Sequence, residues 1–139
     1  MILHLGVVDL TYHENEGTTT AEVAQELENN YQVMQNFYDF HEDFVTNAIA
    51  NDVQQGIDDI MSGIPTTLTD LNGACDKIKV MFNYFIDNME MNGRVDGVPT
   101  KASLMGKNNR FKKGSQDGIR PSFKDTGLYE SSFVAWVSE

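Results

Sequence analysis

Cysteine and long apolar runs are almost absent from this sequence. Cys75 is the only cysteine among 139 residues, so the chain cannot form an internal disulfide bond. No stretch of about eighteen consecutive apolar residues occurs, and a membrane-spanning helix needs roughly that length. Hydrophobic residues nevertheless make up 40% of the chain, which is enough to bury a core. The sequence therefore predicts one folded domain, residues 1–139, that does not enter a membrane.

Basic residues are scarce over the first two thirds of the chain. Residues 1–93 hold 16 acids and two bases, a charge of −14, whereas residues 94–124 hold eight bases and two acids, a charge of +6. Residues 125–139 add three acids. The pattern predicts an acidic body, a basic arm or loop with one helical turn over residues 100–105, and a C-terminal turn with a strand. Opposite charges on one chain favour contact between copies or with a complementary partner.

Proline interrupts the chain at only three positions, and long helices are predicted between them. Apolar residues recur at three- and four-residue steps over residues 21–61, which predicts a helix. Thr19 and Glu22 have the spacing of a capping box at its start, and Gly63 is placed to end it. Because Thr, Asn and Asp cluster at residues 46–52, we expect any bend or break of this helix to lie there.

A second helix is predicted over residues 70–92, with Asp70 as its N-cap and Gly93 as its end. Its apolar residues form a narrow seam that suits packing against another helix, so the two helices should form an antiparallel hairpin. The seam consists of Leu71, Cys75, Ile78, Phe82, Phe85 and Met89. Aromatic side chains outside the main apolar stripes, at Phe37, Phe40 and Tyr84, suggest burial against a second molecule.

The two ends of the chain have the composition of strands. Residues 2–10 are rich in aliphatic side chains, and Phe133, Ala135 and Val137 alternate with Val134 and Trp136. Pairing of the two ends would form a small sheet against the helices. The predicted fold class is α+β, mainly α: a long helical hairpin with a small terminal sheet and an extended basic arm.

Asp125-Thr126-Gly127 has the form of the catalytic loop of a retroviral-type aspartic protease. Such a loop must follow a buried strand in an all-β body, so that two carboxylates can share a proton. Here a basic, proline-containing stretch precedes it and most of the chain is predicted to be helical. We therefore interpret the tripeptide as a structural turn, in which Asp125 or Thr126 caps a short helix from Leu128 and Gly127 adopts a backbone conformation suited to glycine.

No other residue pattern predicts catalysis, a cofactor or a metal site. The three histidines lack the spacing of converging metal ligands, and an acidic, solvated surface explains His13 and His41 beside carboxylates better. Cys75 lies on the packing seam with no histidine nearby in sequence, so a buried, inert thiol is the favoured interpretation.

Residues 120–137 carry a recognisable pattern. Arg120-Pro121-Ser122 precedes Asp-Thr-Gly-Leu-x-x-Ser-Ser-Phe, which ends at Phe133. This segment resembles one found in tail-completion and neck (head–tail connector) proteins of tailed bacteriophages. The resemblance implies a structural virion protein without catalytic activity, which is made in the host cytoplasm and assembles as a ring at the head–tail junction. It implies contacts with copies of itself and with other connector, neck or tail proteins, and DNA only passing near the ring.

The residues expected to contact a neighbouring subunit or another partner lie mostly in the basic segment. They are Lys107, Arg110, Phe111, Lys112, Lys113, Arg120, Lys124, Phe133 and Trp136. Docking of this segment on the acidic helices of a neighbour ranks first, a solvated loop second and nucleic-acid contact third, because the acidic body repels phosphates. The alternative function is a small adaptor that binds a partner protein or nucleic acid through its basic arm.

Overall fold

The computed structural model describes residues 1–12, 17–67, 71–105, 121–124 and 127–138. Within them the chain forms seven elements. In chain order these are β1 (Ile2–Val7), α1 (Thr20–Tyr31), α2 (Val33–Met61), α3 (Asn72–Asp87), α4 (Lys101–Leu104), α5 (Leu128–Ser132) and β2 (Phe133–Ser138). The predicted class is confirmed: the fold is mainly helical, with one small antiparallel sheet made by the two ends of the chain.

The first long helix begins as predicted but divides earlier than expected. Thr19 and Glu22 form a complete capping box at the start of α1. The chain then leaves the helix at Gln32, whose backbone is left-handed (φ 51°, ψ 50°). A second irregularity follows at His41 (φ −123°, ψ 22°), where α2 is kinked. The prediction of a break at residues 46–52 is therefore wrong, since that stretch is regular helix.

A side chain of α1 supports the division at Gln32. The carboxylate of Glu28 accepts hydrogen bonds from the backbone N–H groups of Met34 and Gln35, at 2.9 and 3.2 Å. These N–H groups lie in the first turn of α2 and have no partner within that helix. A carboxylate at a helix N-terminus is also favoured by the helix dipole. Glu28 thus caps α2 from the preceding helix.

The helices α2 and α3 run antiparallel, as predicted. Asp52 near the end of α2 accepts a hydrogen bond at 2.5 Å from the N–H of Ala74 at the start of α3, while Phe37 at the other end of α2 packs on Phe82 and Phe85. The prediction of Asp70 as the N-cap is wrong, because Leu71 occupies that position; Asp70 itself lies outside the described residues. The second helix ends at Asp87 and not at residue 92, because the chain turns there.

Two helix ends have the geometry of a Schellman turn. After α2, Gly63 is left-handed (φ 77°) and the N–H of Ile64 donates to the carbonyl of Asp59. After α3, Met89 takes the same place (φ 53°), with the N–H of Glu90 donating to the carbonyl of Phe85. The first of these ends was predicted from its glycine. The second was not, because methionine does not indicate a left-handed backbone.

The sheet register places alternate side chains of β1 and β2 on opposite faces. Leu5 pairs with Ala135 and Val7 with Phe133, and these residues face the helices. His4 pairs with Trp136 on the opposite, outer face. The alternation predicted for the C-terminal strand is confirmed.

Four phenylalanines fill the centre of the core. Phe82 and Phe133 stack with ring centroids 3.9 Å apart, and Phe37 meets Phe82, Phe85 and Phe133 edge to face at 5.3 to 6.1 Å. Burial of Phe37 within the chain corrects the prediction that it contacts a second molecule. The break at Gln32 and the kink of α2 change which helix face points inward. Tyr84 is 57% exposed, so its contact with a partner stays a prediction.

The start of the basic segment is not an extended arm. Residues 94–105 form turns and the short helix α4, and Val95 and Val98 join the hydrophobic core. The N–H of Thr100 donates to the hydroxyl of Ser122 at 3.2 Å, which ties this part to the chain before α5. The prediction of an extended arm is therefore wrong for residues 94–99, whereas the helical turn predicted for residues 100–105 is present as α4. No helix in the described part of the chain is both long enough and apolar enough to cross a membrane.

Candidate interaction surfaces

Most of the predicted contact residues lie outside the part of the chain that the structure describes. Residues outside the described ranges include two members of the predicted turn and six of the predicted contacts. They are Asp125, Thr126, Lys107, Arg110, Phe111, Lys112, Lys113 and Arg120. The contacts proposed for the six stay predictions, whereas the N-cap position of α5, predicted for Asp125 or Thr126, is occupied by Gly127. The predicted residues that the structure describes are Lys124, Gly127, Leu128, Phe133 and Trp136.

Lys124 has partners within its own chain. Its ammonium group donates to Asp87 at the end of α3 and, at 3.0 Å, to Oε1 of Glu130 in α5. The hydrogen bond to Asp87, with a smaller contribution from Glu130, raises the pKa of Lys124 above its usual value. The structure thus gives Lys124 an intramolecular role in place of the predicted partner contact: it fastens the C-terminal turn to α3.

Gly127 has the backbone conformation predicted for the turn. Its φ of 78° and ψ of 0° are left-handed, and it is the N-cap residue of α5. The N–H of Ser131 donates to the Gly127 carbonyl at 3.0 Å. Leu128, half-buried, begins the helix, and the fully buried Phe133 ends it. This short turn delivers β2 to its place beside β1.

Tyr129 of α5 is buried, and its hydroxyl has no hydrogen-bond partner among the described residues. Burial raises the pKa of Tyr129, with smaller contributions from Glu28 and Tyr12. The folded chain therefore holds the phenolic proton to a higher pH than the unfolded chain does. Stability is unaffected below the unfolded pKa of about 10 and falls as the pH rises above it.

Replacing Tyr129 with Phe should stabilise the protein by about 1 kcal/mol at neutral pH, because a buried hydroxyl without a partner is costly. The advantage over the wild type should grow above about pH 10. Urea unfolding at neutral and alkaline pH measures both effects. The raised pKa of Lys124 also makes the stability fall at alkaline pH, but it does so equally in both proteins. The difference in stability between the two proteins therefore reports on Tyr129 alone. A destabilised Tyr129→Phe protein would show that the hydroxyl has a partner.

Phe133 and Trp136, both predicted as contacts, lie on opposite faces of β2. Phe133 is fully buried in the aromatic core, so it cannot reach a partner, which corrects that prediction. Trp136 is 47% exposed on the outer face and stacks on His4, with ring centroids 5.1 Å apart. Nε2 of His4 also lies 2.8 Å from the hydroxyl of Ser138. The contact predicted for Trp136 remains a prediction.

Gly6 leaves room for the Trp136 ring. A Cβ at Gly6 would lie 3.0 Å from Cζ3 and 3.1 Å from Cη2 of that ring. Gly6→Ala should therefore push the indole off His4 and change the fluorescence of Trp136, the only tryptophan in the chain. Gly63→Ala is the control for destabilisation without contact with the indole: its φ of 77° makes alanine costly there, but nothing lies within 4 Å of its Cβ position, so the emission should not change. An unchanged emission spectrum in Gly6→Ala would contradict the stacked arrangement.

An open apolar groove, of about 590 Å³, runs between β1 and the long helices. Glu28, Gln35 and Thr46 supply its polar lining. The apolar lining consists of Leu3 and Leu5 from β1 and Met34, Tyr38, Val45 and Ile49 from α2. We refer to this feature as the β1 groove. Its volume lies within the range of ligand-binding clefts, and six of its nine lining residues are apolar or aromatic.

The end of α2 presents a second apolar surface. Since Asp52 lies beside the start of α3, the last two turns of α2 extend past that helix. Four apolar side chains in this region are between 44% and 81% exposed. They are Ile57, Ile60, Met61 and Ile64, which we refer to as the α2 tip.

Polar groups elsewhere form structural contacts. No group of three or more potential metal ligands occurs among the described residues. His41 contacts Glu90 at 2.7 Å, which links the kink of α2 to the turn after α3. Cys75 is half-buried, and burial followed by the nearby Asp76 and Asp52 raises the pKa of its thiol. A raised pKa disfavours the nucleophilic thiolate.

Sequence reasoning found the turn and the exposed tryptophan but missed the β1 groove. The groove depends on the distance between β1 and α2, which no local pattern encodes. One signal was present: Leu3 and Leu5 lie on the same face of a strand, so a surface beside them could be expected. Comparison with protein-family models, with curated proteins and with solved structures found no match to this chain.

Proposed function

We propose that this chain is a structural protein of a tailed bacteriophage particle, a subunit that assembles as a ring in the neck or tail-completion region at the head–tail junction. Its role there is assembly, with no catalytic step. The segment that resembles such proteins, residues 120–137, contains the turn at Gly127 and all but the last residue of β2.

The observation that carries the proposal is the incomplete terminal sheet. It has only two strands within the described residues, and two-stranded sheets are marginal on their own. Its inner face packs on the core, and its outer face exposes Ile2 and Trp136 by 57% and 47%. A sheet with apolar side chains on both faces is typical of a subunit that is covered by another molecule.

The α2 tip supports the same proposal. It lies on the far part of α2, where Asp58 and Asp59 separate its isoleucines along the chain. An apolar surface with acidic neighbours suits a partner that combines apolar and basic side chains. Neighbouring copies and other connector proteins are the partners we propose for the two surfaces.

Purified particles provide the test. The protein should be present in a fixed number of copies per particle, which quantitative mass spectrometry against a major structural protein measures. Particles made without it should have heads and tails that fail to join. Absence from particles would overturn the proposal and favour an adaptor that binds a partner through its basic segment.

Trp136→Glu is the matched variant for this test. It places a charge on the outer face of the sheet, where the wild-type side chain is already half-exposed, so the protomer should still fold. The variant should be lost from particles while its circular dichroism and unfolding midpoint stay near those of the wild type. Gln25→Glu, at an exposed position of α1, is the control for one added negative charge and should be incorporated normally.

A further inference from the structure

The open edge of β1 and the groove beneath it form a ready site for one more strand. The N–H of Val8 donates to the carbonyl of Ser132. Hydrogen-bonded residues alternate along an antiparallel strand, so the residues of β1 that bond to β2 are those two, four and six positions before Val8. The backbone N–H and C=O groups of Leu3, Leu5 and Val7 therefore point away from β2. Within the described residues β1 pairs with β2 alone, which leaves this edge open.

The groove lies directly under the side chains of that same edge. Leu3 and Leu5 line it from β1, and α2 forms its opposite wall. A strand added to the edge would send every second side chain into the groove and satisfy the open backbone groups. The backbone edge and the apolar groove thus have the geometry for a single extended segment.

The charge around the groove selects the occupant. The elements that line it, β1, α1 and α2, contain no lysine or arginine, whereas α1 holds three acids and α2 six. Glu28 lies in the groove wall itself. Pairing of two β1 edges would bring two such acidic surfaces together, which is unfavourable. A basic segment that carries an apolar side chain is complementary.

We propose that the β1 groove binds residues 107–113 of a second copy of this chain, with Phe111 in the groove and Lys107 and Lys113, which lie on the same side of an added strand as Phe111, at its acidic rim. Eight of the ten basic residues in the chain lie in residues 94–124, and Lys107 and Lys113 lie four residues before and two residues after Phe111. This inference rests on the proposed function, since it specifies how one subunit of the ring holds the next.

Disulfide trapping between copies tests the docking. In a Cys75→Ser background, one copy carries Thr46→Cys, in the groove wall, and the other carries Asn109→Cys. In an added strand residue 109 lies on the same side as Phe111. Mixing the two should give a disulfide-linked heterodimer. The control is Gln25→Cys, which is exposed on α1 beside Glu22 and Glu26 but outside the groove, and it should give little product.

Two sets of substitutions in the donor segment test its basic residues and its phenylalanine separately. Reversing Lys107 and Lys113 to Glu should lower the yield of the Thr46–Asn109 heterodimer by about tenfold, since both side chains would then bring negative charge to the acidic rim. Phe111→Ala should lower the yield as well, and Phe111→Leu should restore it. The donor copy's own groove is intact in all of these variants.

Amide exchange shows whether the segment docks as a strand. A synthetic peptide of residues 106–120 is added to the full chain, and hydrogen exchange is followed by residue. The amides of Leu3, Leu5 and Val7 should exchange more slowly, while those of His4 and Gly6, already bonded to β2, should change little.

Several outcomes would overturn the proposal. Equal trapping at Gln25 and Thr46 would indicate unspecific charge attraction. No trapping at either position would remove the docking, and an intramolecular disulfide in a dilute chain carrying both cysteines would show that the segment covers its own groove. Slow exchange of the Leu3, Leu5 and Val7 amides in the full chain without added peptide, together with no trapped heterodimer, would indicate that two β1 edges pair with each other. A chain that traps at Thr46 but is absent from particles would refute the proposed function and leave the docking intact.

Discussion

Phe37→Ala is expected to lower the free energy of unfolding by about 3–5 kcal/mol, the usual loss for a buried phenylalanine. Phe37 is fully buried and touches the rings of Phe82, Phe85 and Phe133, so it joins α2, α3 and β2. Its removal would leave a cavity where these three elements meet. Urea unfolding, followed by circular dichroism, measures the loss.

Tyr84→Ala is the matched control, because this aromatic residue of α3 is 57% exposed. It should change the stability by no more than about 0.5 kcal/mol. If Phe37→Ala does not fold, Phe37→Leu keeps most of the volume and should cost about 1.5 kcal/mol. A Phe37→Ala protein as stable as the Tyr84→Ala protein would place Phe37 outside the core.

The sequence predicted the helices and strands well where the signals are local. The capping box at Thr19, the glycine at Gly63 and the alternation after Phe133 each depend on residues a few positions apart, and all three were confirmed. The α+β fold class was also predicted correctly, because both chain ends have strand composition and the middle has helical periodicity.

The division of the first helix could not be predicted, because it depends on contacts across the chain. A left-handed glutamine is unusual, and nothing near Gln32 in sequence indicates it. Glu28 stabilises the conformation by accepting hydrogen bonds from Met34 and Gln35 beyond the break. The placement of Phe37 in the core follows from this break, so one missed turn also gave the wrong role for an aromatic residue.

The start of α3 illustrates the same limit. Its first turn is capped by Asp52, which is 22 residues away in sequence from its hydrogen-bond donor, Ala74. A Cβ at Gly73 would lie 2.9 Å from Oδ2 of Asp52, so glycine makes room for the carboxylate. Acidic side chains of one helix thus cap the N-terminus of the next, as Glu28 and Asp52 do. Part of the negative charge that predicts a partner therefore also stabilises the fold.

The candidate surfaces were predicted only in part. Exposure of Trp136 follows from strand alternation once Phe133 is assigned to the core, but the direction of that alternation depends on the packing of β2 against α3. Lys124 was grouped with the other basic residues because charge patterns do not show which acids lie nearby in space. The structure brings Asp87 and Glu130 to it from two different elements.

Gly127→Val is expected to destabilise the protein by about 2 kcal/mol and to weaken the pairing of β2 with β1. Gly127 has a φ of 78°, a left-handed conformation that costs other residues about 1–2 kcal/mol and a β-branched residue more. A Cβ there would meet only Oε1 of Glu130, at 3.9 Å, so the cost comes from backbone strain and not from a clash. Urea unfolding and hydrogen exchange of the β1 and β2 amides measure the two effects.

Gly127→Asn tests whether backbone strain causes the loss of stability. Asparagine also replaces the glycine, but it tolerates the left-handed region better than any β-branched residue. It should retain about half or more of the stability that Gly127→Val loses. The strain must also propagate: α5 begins at the next residue and delivers Phe133 to the core, so a distorted turn should loosen the Phe82–Phe133 stack. Equal stability of the Val and Asn variants would mean that this turn does not require its left-handed backbone.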